Sequence, residues 1–160
     1  MFSVVTFNRF GVASAVRDEL QSGGLLLGDI VSFSAFISLS IPEFKRKPWR
    51  WDQISCQLPV HLLDHIYDLM SFLGLPAIES VKADVKTEFL WGRSIDRSLA
   101  INLKLSNGAV GTITAVQHPQ GKEFLMPLQK VSLIGTQGAL EIQLDHARFI
   151  AWTVSSVEFL

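Results

Sequence analysis

The chain has 160 residues, of which 48% are apolar and 18% charged, and 14 basic against 15 acidic side chains leave a net charge of −1. That balance argues against a dedicated nucleic-acid binder, whose affinity rests on neutralising phosphates. The single cysteine, Cys56, excludes an internal disulfide or a cysteine-based zinc site and fits a reducing, cytoplasmic setting. Mean hydropathy is +0.30, yet no apolar run approaches the ~18 residues of a membrane span and no secretory leader is visible, so no membrane partner is expected. Low charge with abundant apolar material points to a large buried face, such as a subunit interface.

In chain order, Phe2 to Phe7 reads as a short strand. Val12, Ala13, Val16 and Leu20 follow helical spacing up to Gly23-Gly24. Val31, Phe33, Ala35, Ile37 and Leu39 then alternate with Ser32, Ser34, Phe36, Ser38 and Ser40, the clearest strand in the chain. Ile41 to Pro59 is a long loop with Trp49, Trp51 and four basic residues, Lys45, Arg46, Lys47 and Arg50. Val60 to Leu73 is a helix with Pro59 in its first turn and Gly74 and Pro76 after it. The remainder is strand-rich: Val81 to Leu90, Ser98 to Leu105, Ala109 to Val116, Lys130 to Ile134, Ala139 to Leu144 and Arg148 to Val157. Asn107-Gly108 predicts a two-residue hairpin turn with both residues at positive φ. The pattern predicts one domain over residues 1–160, of α+β class, with a large, mostly antiparallel open sheet and helices packed on one face.

The chemistry-bearing residues cluster in two places. At 100° per residue, His61, Asp64, His65 and Asp68 share one side of the second helix, opposite its leucines. This stripe suits proton transfer near neutral pH. It also suits a solvated helix face, or a metal held by His-x-x-x-His. A metal would need a third ligand, and no Glu follows His61, so no metal site is assigned. Arg50 between Trp49 and Trp51 suits an anionic or polyhydroxylated ligand, or a basic loop pinned by aromatic anchors. His118 and His146 fall in or beside turns, and Cys56 reads as a structural thiol. No G-x-G-x-x-G, no G-x-x-x-x-G-K-[ST] and no G-x-S-x-G occurs, so the chain carries no nucleotide-binding loop of its own.

Several segments together resemble one known family. These are Phe7-Asn8-Arg9-Phe10 with Gly23 to Val31; Trp49-Arg50-Trp51-Asp52; His65-Ile66-Tyr67-Asp68-Leu69 with Phe72-Leu73-Gly74; Leu103 to Gly111 around Asn107-Gly108; and Ile134-Gly135-Thr136-Gln137-Gly138-Ala139-Leu140-Glu141. In this order they resemble the C-terminal domain of the Gfo/Idh/MocA oxidoreductases, such as glucose-fructose oxidoreductase and inositol 2-dehydrogenase, over about Phe2 to Glu141. The resemblance implies the substrate-binding and oligomerisation domain of an NAD- or NADP-dependent oxidoreductase acting on a sugar-like or polyol substrate. It implies a homodimer or tetramer formed through the sheet face, and a Rossmann domain as the cofactor-binding partner in the full-length enzyme. It places His65 on the catalytic histidine and His61 at the second catalytic position, where the family has Asp. Trp49, Arg50, Asp64 and Asp68 fall on the substrate side. The His61 substitution, and Ser55 to Leu58 where the family has three glycines, depart from the family pattern. They leave a non-catalytic dimerising or binding module as the alternative. Without the Rossmann domain the chain is expected to bind no cofactor and to show no turnover alone.

Overall fold

A computed structural model of the chain describes residues 12–22, 27–40, 58–90, 93–118, 128–143 and 148–153. Two helices and seven strands follow in the order α1 (Val12–Ser22), β1 (Ile30–Ser40), α2 (Leu58–Phe72), β2 (Ile78–Leu90), β3 (Arg93–Leu105), β4 (Val110–His118), β5 (Leu128–Gly135), β6 (Gly138–Gln143) and β7 (Arg148–Thr153). The expected strand Phe2 to Phe7 and the loop from 41 to 57 lie outside the described residues.

The strands form one open sheet in the order β2-β3-β4-β1-β5-β6-β7. Every pairing is antiparallel except β1 with β4. The exception has a topological cause. Parallel neighbours need a long crossover, and α2 with the β2–β3 hairpin supplies it. The earliest strand thereby becomes the central one, flanked by β4 on one side and β5 on the other.

Alternation sets which side is buried. Phe33, Ala35 and Ile37 of β1 lie in register with Gly111, Ile113 and Ala115 of β4, and beyond them with Leu103, Ile101 and Leu99 of β3. All of these are buried, as are Val131 and Leu133 of β5 and Leu140 and Ile142 of β6. The helices cover this side. α2 lies on β3 and β4, α1 meets β7, and Ala13, Val16, Ile66, Leu69 and Met70 complete the core. Each fully buried aliphatic side chain contributes roughly 1.5–3 kcal/mol. The opposite side carries no helix among the described residues. The strand expected at Val31 shows one departure, since a register shift between Ile30 and Ser32 turns Val31 outward to 50% exposure.

The Asn107-Gly108 hairpin is a three-residue loop, not the two-residue turn its sequence suggests. Gly108 N donates to Leu105 O at 2.9 Å, and Leu105 N donates to Ala109 O at 2.8 Å, so Ser106, Asn107 and Gly108 are the loop. Gly108 carries positive φ, 86°. This is the turn-plus-bulge solution that places glycine at the left-handed position. Asn107 does a different job from the one expected. Its Oδ1 accepts from Ala109 N at 3.0 Å, while its Nδ2 donates to Ile30 O at 2.9 Å and ties the loop to β1.

The β5–β6 hairpin is clasped at the same end. Thr136 N donates to Asp29 O (3.0 Å), Gln137 N donates to Leu27 O (2.9 Å) and Asp29 N donates to Thr136 Oγ1 (3.1 Å). Gly135 has no room for a side chain, because a Cβ there would overlap the Leu27 carbonyl. Gly28 takes φ 67° beside Thr136. Two glycine motifs more than a hundred residues apart (about 107, Gly28 to Gly135) are thus halves of one backbone contact.

Candidate functional site

Helix α2 positions the histidine stripe. Its C-terminus is closed by Gly74 at φ 75°, with Leu75 N donating to Met70 O (3.0 Å) and Gly74 N to Ser71 O (3.1 Å). This paired arrangement satisfies the last carbonyls of a helix. Ser106 N then donates to Ala77 O at 2.8 Å, fixing the C-terminal end of α2 beside the Ser106–Gly108 loop. With 15 residues α2 is about 22 Å long.

The sides of α2 differ from a simple solvated face. Ile66, Leu69, Met70 and Leu73 are buried, and among the described side chains from Leu63 to Leu73 only Ser71 is exposed. His65 and Asp68 are half-buried, and the Nδ1 atom of His65 is shut off from solvent. By helical geometry His65 lies at the border of the core stripe, three residues before Asp68. Near the end of α2, the Arg17 guanidinium of α1 lies 4.5 Å over the Phe72 ring, while its Nη2 donates to Asp18 Oδ1 at 2.7 Å. The arrangement gives a half-buried imidazole on a rigid helix, which suits proton exchange with a ligand hydroxyl.

The other candidates are only partly visible. The side chains of His61 and Asp64 lie outside the described residues, although both stand on α2. Trp49, Arg50, Cys56 and His146 lie outside them altogether. His118 ends β4 opposite Ser40 of β1. Among the described residues no cluster of three His, Cys, Asp or Glu side chains is placed to hold a metal. No described helix is long and apolar enough to cross a membrane.

Two polar groupings were not foreseen in the sequence. At the far end of β2 and β3, Arg97 Nε lies 3.0 Å from Glu88 Oε2, and Lys86 Nζ lies 3.4 Å from Glu88 Oε1. Thr87 Oγ1 donates to Asp96 Oδ1 at 3.2 Å. A register shift between Lys86 and Thr87 leaves Arg97 without an opposite residue and brings these groups together. No linear spacing announces such a shift. On the uncovered face, Lys130 Nζ lies 2.6 Å from Glu141 Oε2 and Gln143 Nε2 donates to Glu141 Oε1 at 3.0 Å. The Lys130 hydrogen bond, aided by Gln143, holds the Glu141 carboxyl below its ordinary range.

Known proteins agree with this architecture. Levoglucosan dehydrogenase, solved with NADH and levoglucosan, superposes with a TM-score of 0.76 at 18% identity, covering 99% of this chain and 45% of its own. The WlbA dehydrogenase from Bordetella pertussis, solved with NADH and UDP-GlcNAcA, gives 0.71 at 22% identity, covering 94% of this chain and 43% of its own. An NAD-binding oxidoreductase from Klebsiella pneumoniae gives 0.71 at 17%, covering 97% and 43%. The chain thus spans less than half the length of these solved proteins, and at these identities the likeness is one of fold. No curated protein is significantly similar to it. Residues 14–141 match the GFO/IDH/MocA C-terminal domain. With that match over most of its length, and with the family's glycine and asparagine motifs serving as the clasps of its sheet, the chain belongs to the GFO/IDH/MocA C-terminal domain family.

Proposed function

We propose that the chain is the substrate-side and assembly portion of an NAD- or NADP-dependent oxidoreductase acting on a sugar-like or polyol substrate. The observation that carries this reading is the family match over residues 14–141. The chain's own residues do not fit a dinucleotide, because the sequence has no glycine-rich turn to seat a pyrophosphate. The dinucleotide, which takes or gives the hydride, is therefore assigned to a separate Rossmann domain. This chain's part is to bind the substrate and move a proton. His65, half-buried on α2, gives or accepts the proton of the reacting hydroxyl. His61, Asp64 and Asp68 of the same helix, with Trp49 and Arg50 from the segment before it, are assigned to orient the substrate.

The uncovered sheet face is proposed as the surface for assembly into a homodimer or tetramer. Val110, Ser32 and Ile134 lie in one row across β4, β1 and β5, and Thr114 and Phe36 lie in a second. Val110 is 60% exposed and Ile134 51%. Small hydroxyl and aliphatic side chains over the central strands suit a flat packing surface.

The test is turnover. The chain is assayed with NAD or NADP over a panel of sugars and polyols, alone and joined to a dinucleotide-binding domain. Turnover is expected only in the joined form, and His65→Asn is expected to lower kcat by roughly a hundredfold or more without moving Tm. Turnover by the chain alone, or full activity in His65→Asn, overturns the reading.

A further inference from the structure

Among the described residues, strand β2 is the outermost strand at one edge of the sheet. Every residue from Glu79 to Thr87 is exposed. Its regular pairing to β3 is bounded by one register shift between Ile78 and Ser80 and another between Lys86 and Thr87. The undistorted stretch is therefore Ser80 to Lys86, with Ala83 at its midpoint. On the helix side this stretch presents Val81, Ala83 and Val85, which continue the rows of buried Leu103, Ile101 and Leu99. Val81 remains 52% exposed and Val85 45%. On the other side it presents Ser80, Lys82, Asp84 and Lys86. Natural edges are often blunted by lysines of one sign. Here the charges alternate in sign and leave an apolar row on the reverse.

We propose that β2 pairs antiparallel with β2 of a second copy of this chain about a two-fold axis at Ala83, joining the two sheets edge to edge. In that register Lys82 faces the partner subunit's Asp84, and Asp84 faces the partner subunit's Lys82. Val81 faces the partner subunit's Val85, so the apolar rows run unbroken from one sheet into the next. A two-fold axis supplies each contact twice. Centring on Asp84 instead sets Asp84 against itself and Lys82 against Lys86, which repel. Centring on Val85 matches charges as well, but it runs through the distortion at Lys86–Thr87 and uses Glu88, already paired with Arg97 at 3.0 Å. The edge is separate from the open face, so the two contacts are independent.

Disulfide trapping tests the register. In a Cys56→Ser background, Ala83→Cys and Val85→Cys variants of the 160-residue chain are oxidised mildly. Opposite residues of an antiparallel pair lie ~4.5–5.5 Å apart at Cα, within disulfide reach. Ala83→Cys is expected to form a covalent dimer and Val85→Cys to stay uncrosslinked. The reverse, equal crosslinking of both, or none in either, overturns the proposal. Charge reversal gives a second readout by sedimentation over a concentration series. Asp84→Lys is expected to weaken association by about tenfold or more, and adding Lys82→Asp is expected to restore it. Rescue by Lys86→Asp instead, or no effect of Asp84→Lys, overturns it. Thr114→Arg on the open face is expected to leave the Ala83→Cys crosslink intact, so failure of the face contact and failure of the edge contact are distinguishable.

Discussion

The two faces of this sheet are built from the same strands and obey different rules. On β4, Ile113 and Ala115 are buried without exposure, while Thr112 and Thr114, which alternate with them, are exposed. On β1, Phe33 and Ile37 are buried, and Phe36 one step away is 36% exposed. The covered face is filled by close packing of large and small residues, to the point that Gly111 sits where Leu103 and Phe33 leave no slack. The open face is a mosaic of hydroxyls, a few aliphatics and ion pairs such as Lys130–Glu141 and Lys104–Glu79. One face stores folding free energy, and the other is the surface proposed above for assembly.

The sharpest way to break this comparison is substitution on neighbouring residues of one strand. Ile113→Ala is expected to cost about 2–5 kcal/mol in denaturant unfolding, through lost burial and a cavity. A loss below that range would mean the covered face is loosely packed. Gly111→Ala tests the same packing from the other direction. Its added Cβ would come within 3.2 Å of Leu103 Cβ and 3.3 Å of Phe33 Cδ1, so these two buried neighbours must shift by a few tenths of an ångström to admit it. The expected loss is roughly 1–3 kcal/mol.

Thr114→Arg, next to Ile113, is expected to change unfolding free energy by no more than about 0.5 kcal/mol. It is expected to remove the proposed face-to-face contact, read as a lower mass in light scattering. An unfolded Thr114→Arg protein would show that the open face, too, is core. The smallest effect concerns pH. The Glu141 carboxyl lies below its ordinary value of 4.5 because Lys130 and Gln143 hydrogen-bond its charged form. A depressed carboxyl contributes stability that is present above its unfolded value and lost as pH falls through the lower folded value. Glu141→Gln is therefore expected to lower Tm slightly at neutrality, where the contribution is present, and to flatten the decline below pH 4.5, where the two proteins converge.

Much of the element list is legible in the sequence, because it rests on local periodicity. The alternation from Val31 to Ser40 places β1 within a residue of its start, and the apolar spacing of Val60 to Leu73 places α2. The candidate site was legible in part for the same reason. His65 and Asp68 fall on one side of α2 by arithmetic alone. What the arithmetic missed is that this side is half-covered rather than washed by solvent, since coverage depends on what packs beside the helix. The Arg97–Glu88–Lys86 group was invisible, because it exists only where two strands slip register.

The sequence by itself determined which residues alternate, where glycine and proline interrupt them, and that no dinucleotide loop is present. Those properties depend on neighbours a few positions apart. Only the tertiary structure decided that β1 stands at the centre, that β4 joins it in parallel, and that β2 is left as an edge. It likewise decided that Gly135 packs on Leu27 and Gly28 beside Thr136, and that Asn107 ties its loop to Ile30 instead of forming a two-residue turn. Strand partners are chosen by hydrogen bonds and burial between segments far apart in the chain. A repeat of two residues is the same signal whichever strand lies alongside it.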